Sequence, residues 1–369
     1  MQTILNHVDS VKNIEKILNN LKCHKILFVC GKSSYEKLPL KADIDSQNIK
    51  HIYFSEFFPN PLYEDVSKGI DLFVNEKCDG ILAIGGGSAI DVAKCIKLFC
   101  KMEKETNYLQ QEFKDTGIPL IAIPTTAGTG SESTKYAAIY YKGKKYSVTH
   151  ESILPNYAIL DSRSLRTLSI YQKKCTMLDA LCQAAESWWC VNSTEESKKY
   201  SKIAIEMIVA NYERYLANDE SVTGNLMLAA NYAGRAINIS PTTAAHAMSY
   251  KIISMYNIPH GHAVAVCFPH VWKYMIENSN KCIDNRGEKY LISVFNEIAV
   301  ALGLRNGNDA IDWFLFLLEK LELSNPVSND VNDINVLVSS VNIERLKNNP
   351  VELNEAELRE LYKKIIRIT

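Results

Sequence analysis

The 369-residue sequence contains no run of about 18 apolar residues. Its first stretch, MQTILNHVDSVKNIEKIL, offers neither a basic segment followed by an apolar one nor a cleavage site. A membrane span and a secretory leader are therefore not expected, and the protein is read as soluble and cytoplasmic. Charge of one sign is lacking too. The 41 Lys and Arg balance 42 Asp and Glu, for a net −1, whereas a general nucleic-acid or membrane-surface binder would show a basic excess. The ten cysteines form no CxxC pair and several sit in apolar stretches, so they read as reduced, mostly buried thiols. There is no internal repeat, low-complexity tract or long linker.

What is present is ample apolar content, 47%, in a chain longer than one hydrophobic core usually supports, so two domains are expected. From residue 11, amphipathic segments alternate with buried-strand runs: VKNIEKILNNL, KILFVCG, HIYFSEF, YEDVSKGIDLFVNEK, GILAIGGG. That succession predicts a parallel sheet with helices on both faces. A hairpin is expected at KYAAIYYKGKKYSVT, with Gly143, Lys144 and Lys145 at its turn. After PNYAILD the strands stop, and amphipathic helices follow to the end. The reading is an α/β domain over residues 1–162 and an all-α domain over 163–369, with a ligand cleft between them.

Two loops of the first half carry chemistry. DGILAIGGGSAIDVAK runs from a strand through Gly85, Gly86, Gly87 and Ser88 into a helix, a turn whose bare backbone and helix N-terminus suit a diphosphate. Ser88 and Asp91 form a capping pattern there. PTTAGTGSE then places Thr125, Thr126, Gly128, Thr129, Gly130 and Ser131 after a second strand, where open α/β sheets bind ligands. A tight turn with no ligand is the plainer reading of either loop alone.

In the second half, Asp179 and Gln183 lie four apart on one face of a predicted helix. His246 sits on another apolar helix, and His260 follows a proline at the start of a third. Two imidazoles and a carboxylate brought together would make a mixed nitrogen and oxygen site suited to Zn or Fe(II). A histidine on an apolar helix is more often a satisfied core residue.

The set GGGSAIDVAK, PTTAGTGSE, LDALCQAAE and HAMSYKIISMYNIPHGHAVAVCFPHV, in this order and spacing, resembles the iron-containing (group III) alcohol dehydrogenase family, whose fold is shared with dehydroquinate synthase. The resemblance spans nearly the whole chain. It implies a dinucleotide-binding N-terminal domain and a helical domain holding one divalent metal. On it, Gly86, Gly87 and Ser88 match pyrophosphate contacts, Thr125, Thr126 and Thr129 match the second cofactor loop, and Asn60 of FPNP and Lys145 of KKYSV match further cofactor contacts. Asp179, His246 and His260 match three of four metal ligands.

This sequence departs from the family in two places. Gln183 stands where the family's fourth ligand is histidine, which moves metal preference toward Fe(II) or Mn(II), with Zn as an alternative. Tyr250 stands where a histidine near the nicotinamide is usual, and a phenol acts as an acid rather than a base at pH 7, favouring carbonyl reduction. Tyr250, with DALCQAAESWWCVNSTEES and AGRAINIS, resembles the phosphonoacetaldehyde reductase branch.

The resemblance thus implies NAD(P)H-dependent, metal-assisted reduction of a small anionic aldehyde, first of all phosphonoacetaldehyde to 2-hydroxyethylphosphonate. Tyr250, His262 or a water at the metal would supply the proton. Arg235, then Lys251 and Lys135, are the candidate cations for the phosphonate. Gly31, Lys32, Ser33 and Ser34 follow the first buried strand without a carboxylate to repel a 2′-phosphate, so NADPH should serve at least as well as NADH. The alternatives are a general alcohol, lactaldehyde or glycerol dehydrogenase, a lyase like dehydroquinate synthase, and a silent nucleotide-binding protein. A homodimer is compatible with this reading, and neither nucleic acid nor membrane is an expected partner.

Overall fold

A computed structural model of the chain describes residues 2–369. By internal packing it divides into two units, Met1–Ser169 with Asp219–Gly234, and Ile170–Asn218 with Arg235–Thr369.

The first unit is built on strands β1 (Thr3–Leu5), β2 (Ile26–Cys30), β3 (His51–Phe54), β4 (Gly80–Gly85), β5 (Leu120–Pro124) and β8 (Tyr157–Ile159), with β6 (Tyr136–Tyr141) and β7 (Lys144–Thr149) as a separate ribbon. The six-stranded sheet has the order β1-β8-β5-β4-β2-β3, and every pairing in it is parallel. Its helices are α1 (Ile14–Asn20), α2 (Lys32–Glu36), α3 (Lys41–Asp45), α4 (Tyr63–Asn75) and α5 (Gly87–Phe99). Alternation along β2 sends Leu27 and Val29 into one core and Ile26, Phe28 and Cys30 into another. Both faces are thus covered, which is why β2, β5 and most of β4 read as continuous apolar runs. The parallel α/β expectation holds.

The hairpin turn is Lys142–Gly143, both with positive φ (50° and 74°), as a two-residue turn between twisted strands requires. Lys144 and Lys145 are therefore strand residues of β7, not turn residues as the sequence suggested. The ribbon's own twist, rather than the lysines' charge, fixes the turn one residue earlier.

The second half is helical as expected: α6 (Ile170–Trp189), α7 (Glu195–Leu216), α8 (Thr223–Ile239), α9 (Ala244–Tyr256), α10 (His260–Glu277), α11 (Glu288–Ala301), α12 (Gly307–Lys320), α13 (Asp333–Ser340), α14 (Ile343–Leu346) and α15 (Glu355–Ile365). Strands do not stop altogether after residue 163. Two-residue strands β9 (Val327–Ser328) and β10 (Arg367–Ile368) pair in parallel, too short to leave an alternating pattern in sequence.

Within the second unit α6 packs on α7 and α10, and α9 packs on α10. Behind them Trp189 stacks on Phe268 at 5.2 Å and contacts Trp272 and Phe295. Gly261 permits the α6–α10 approach: a Cβ there would lie 1.9 Å from the Cys175 carbonyl oxygen. Among the described residues no cysteine is in a disulfide, and all but Cys23, Cys100 and Cys282 are buried. No described helix is long and apolar enough to cross a membrane.

Candidate metal centre and dinucleotide loops

In the second unit α6 presents Asp179, Gln183 and Glu186, at spacings of four and three, along one buried face. His246, on the first turn of α9, and His260, the first residue of α10, complete a cluster. His246 Nε2 and His260 Nε2 lie 3.4 and 3.5 Å from the same Asp179 Oδ1. One ligand atom from each of the three residues falls within 4.8 Å of the others. Asp179 Oδ1, Gln183 Oε1 and His246 Nε2 are all buried without a hydrogen-bond partner. An unmet buried polar atom costs about 1–3 kcal/mol, so three in one place fit a site shaped for a shared cation. Nitrogen and oxygen donors together suit Fe(II), Zn or Mn(II).

The sequence reading missed Glu186, which is fully buried. One carboxylate oxygen accepts from Thr243 Oγ1 and the Ala245 amide, both at 2.9 Å. The other makes a short contact with His246 Nδ1. Nδ1 therefore carries a hydrogen whether or not the ring is charged, and Nε2, which faces Asp179, is the nitrogen left to bind a cation once its own proton leaves. Trp189 Nε1 donates to Thr243 Oγ1 at 2.9 Å, tying the aromatic core to this network. The signal was in the sequence: an acidic residue seven positions after Asp179, inside an apolar run. Burial disfavours charge on His246, yet Glu186 and Asp179 outweigh it and hold its pKa up at about 10. Burial likewise opposes the Asp179 carboxylate, and His260 and His246 more than offset it, leaving its pKa below the usual carboxylate value.

Tyr250, one turn beyond His246, stacks on His260 with centroids 6.0 Å apart and planes 7° from parallel. Its hydroxyl accepts from Arg345 Nη1 at 3.1 Å, a residue the sequence reading did not single out. His262 has both ring nitrogens engaged: Nε2 donates to the Ser324 carbonyl at 2.9 Å, and Nδ1 meets the Tyr171 hydroxyl at 2.9 Å. Burial lowers its pKa.

Two of the three proposed phosphonate cations have other neighbours within their own unit. In the first unit, Lys135 pairs with Glu151 at 2.6 Å. In the second, the Arg235 guanidinium lies over the Tyr200 ring at 5.4 Å. Lys251 is five residues from His246 on α9, roughly 140° around the helix from it.

In the first unit the loops after β2, β4 and β5 share the carboxyl edge of adjacent strands. The chain leaves β2 toward β3 on one side and returns through β4 on the other, so this edge is a switch point of the kind that receives ligands. Gly31, Lys32 and Ser33 follow β2. Gly86 precedes α5, whose first amides have no side-chain cap. A Cβ on Gly87 would lie 3.0 Å from Thr129 Cγ2, and one on Gly86 3.3 Å from Thr126 Cγ2, so the two loops are packed together.

The Ser88–Asp91 capping pattern does not form. Asp91 instead accepts from Ser131 Oγ at 2.6 Å and the Ala138 amide at 2.9 Å, since a buried loop offers it more donors than a helix end. The fully buried Lys94 donates to the Ser131 carbonyl, Ser131 Oγ, Thr134 Oγ1 and the Tyr136 carbonyl, at 2.6–3.1 Å. Burial drives its pKa down to about 8 against the pull of Asp91 and Glu132. Asp91 and Lys94 thus hold the second loop in place rather than facing solvent. Lys145 lies near enough to Asp91 to help lower its pKa, although burial raises it overall. Asn60 takes a left-handed backbone (φ 59°) in the exposed loop after β3. Gly130 (φ 59°) meets Gly234 backbone to backbone, where a Cβ would stand 2.5 Å from the Gly234 Cα.

An open parallel sheet with glycine and threonine loops at its carboxyl edge, joined to a helical unit with a buried carboxylate and imidazole cluster, defines a class of two-part proteins built for a dinucleotide and a divalent cation. The chain belongs to the iron-containing alcohol dehydrogenase family: residues 2–162 match the model "Iron-containing alcohol dehydrogenase", and residues 174–366 match "Fe-containing alcohol dehydrogenase family, C-terminal". The family uses a nicotinamide dinucleotide and a divalent metal, and Asp179, His246 and His260 are disposed to hold the latter.

Among curated relatives, aldehyde-alcohol dehydrogenase 2 of Entamoeba histolytica is 32% identical over 62% of this chain and 28% of its own length. Phosphonoacetaldehyde reductase of Streptomyces viridochromogenes is 30% identical over 62% of this chain and 61% of its own length. The chain spans less than two thirds of the length of such relatives. The fold matches the crystal structure of sulfoacetaldehyde reductase from Bifidobacterium kashiwanohense in complex with NAD+, with TM-score 0.88, 24% identity, and coverage of 99% of this chain and 96% of that one.

Proposed function

We propose that the protein is a NAD(P)H-dependent, metal-assisted reductase of a small anionic aldehyde, with phosphonoacetaldehyde to 2-hydroxyethylphosphonate as the leading reaction. The observation that carries this reading is the convergence of three unpartnered buried donors, Asp179 Oδ1, Gln183 Oε1 and His246 Nε2, beside His260. When bound, the divalent ion supplies Lewis-acid polarisation of a carbonyl oxygen and the dinucleotide supplies hydride.

The protein's own residues do the rest. Asp179, His246, His260 and Gln183 hold the cation, and Glu186 fixes the His246 tautomer. Tyr250 offers its hydroxyl hydrogen to the oxygen that gains electron density, while its own oxygen accepts from Arg345. His262 is the weaker donor in this reading, because both of its nitrogens are occupied. Aldehyde, hydride and proton together give the alcohol and the oxidised dinucleotide. Gly86, Gly87, Ser88, Thr125, Thr126 and Thr129 form the dinucleotide seat, with Asn60 and Lys145 beside it. Gly31, Lys32 and Ser33, lacking a carboxylate, admit the 2′-phosphate of NADPH.

The phosphonate assignment is supported by the phosphonoacetaldehyde reductase relative and by Tyr250. A general alcohol dehydrogenase is the second reading, supported by relatives of that name. The deciding experiment follows NADPH and NADH oxidation with phosphonoacetaldehyde beside propanal, with metal content measured on the same sample. Preference for phosphonoacetaldehyde and use of NADPH at least equal to NADH are expected. Strong preference for propanal removes the phosphonate assignment and leaves the reductase, and strict NADH dependence removes the cofactor assignment.

A further inference from the structure

We infer that Arg345 is the side chain that recognises the substrate's anionic group, an inference resting on the anionic-aldehyde reading above. Arg345 lies on α14, half-buried. It is reached from the cluster in two steps: 6.0 Å from the His260 ring to the Tyr250 ring, then 5.3 Å from that ring to the guanidinium carbon.

Only Nη1 is engaged with a side chain, the Tyr250 hydroxyl at 3.1 Å. Among the described residues no carboxylate pairs with this guanidinium. Its neighbour Glu344 is committed to Lys347 at 2.7 Å. A guanidinium has five N–H donors in a rigid fork, and a half-buried one with no anion of its own is arranged to receive one.

The candidates taken from sequence lie otherwise: Arg235 is over Tyr200, and Lys251 points well away from the His246 face of α9. Tyr250 thereby serves two neighbours. Its ring carries the guanidinium by cation–π contact, and its hydroxyl fixes one edge of the fork. The remaining edge is left for a bidentate oxyanion. The anion this free edge suits is a phosphonate, sulfonate or carboxylate carried by an aldehyde whose carbonyl stands at the Asp179, His246 and His260 cluster. A neutral aldehyde of the same length makes no ionic contact with Arg345.

The test compares wild type, Arg345→Met and Arg345→Lys, each loaded with its metal, in two measurements. The first is kcat/KM for phosphonoacetaldehyde and for propanal. The second is calorimetric binding of ethylphosphonate, which cannot be reduced, in the presence of NADP+. Arg345→Met loses a donor to the Tyr250 hydroxyl and so slows both aldehydes, but it is expected to lose roughly 10- to 100-fold more with phosphonoacetaldehyde than with propanal, the range of a charge-assisted contact, and a similar factor in ethylphosphonate affinity. Arg345→Lys should fall between the two, because it keeps the charge and loses the fork.

Equal losses for both aldehydes, no loss for either, or wild type that fails to bind ethylphosphonate would each overturn the assignment. Should wild type reduce no aldehyde yet bind ethylphosphonate through Arg345, the reductase reading falls and the anion site stands. Should it reduce propanal alone and ignore ethylphosphonate, the reductase stands and the anion site falls.

Discussion

Glu186→Gln isolates the carboxylate that orients His246. In the native arrangement the carboxylate receives the His246 Nδ1 hydrogen, so Nε2 is the nitrogen that gives up its proton and offers its lone pair to a cation. An amide of the same shape can still accept from Thr243 and the Ala245 amide through its oxygen, preserving the contacts at 2.9 Å. Its NH2 group then faces Nδ1 and must donate, which forces the imidazole hydrogen onto Nε2, where the cation belongs. The substitution also removes one of two buried carboxylates that balance a divalent charge, since Gln183 is neutral. Loss of such an orienting partner typically costs 10- to 100-fold in metal affinity, or about 1.4–2.7 kcal/mol. Competition against a chelator measures that affinity, and thermal unfolding of the metal-free variant checks that the fold survives. An affinity within about threefold of wild type, in a variant that melts normally, would refute the orienting role.

Gly261→Ala should lower the melting temperature by several degrees and weaken metal binding, because the added methyl meets the Cys175 carbonyl and displaces His260 with the start of α10; calorimetry and metal content read both. Lys94→Met should cost about 1–3 kcal/mol by leaving the Ser131 and Tyr136 carbonyls without their buried donor, measured by denaturant unfolding, and should weaken dinucleotide binding through the Ser131 loop. Metal uptake near pH 8 should release a proton. His246 has its pKa held at about 10 in the absence of an ion, so apparent affinity should rise about tenfold per pH unit up to that value. Calorimetry in buffers of different ionisation enthalpy detects the proton, and a pH-independent affinity would contradict the assignment.

Local patterns were legible in sequence and long-range partners were not. The alternation of strand and helix, the glycine turn before α5 and the four-residue spacing of Asp179 and Gln183 follow from periodicities within a dozen residues. Glu186 meets His246 across 60 positions and Arg345 meets Tyr250 across 95, distances over which no local pattern carries information. Asp91 looked like part of a helix cap because its partners, Ser131 in a loop and Ala138 in β6, arrive 40 and 47 residues on. The same cause hid Lys94, whose last carbon would ordinarily place its charge in water.

Anomalous X-ray scattering from crystals of the metal-loaded protein tests the central assignment most directly. One divalent ion per chain, ligated by Asp179, His246 and His260 with Gln183 in the same sphere, is the predicted result. An ion elsewhere, or none at this cluster in protein that actively reduces aldehydes, would contradict it.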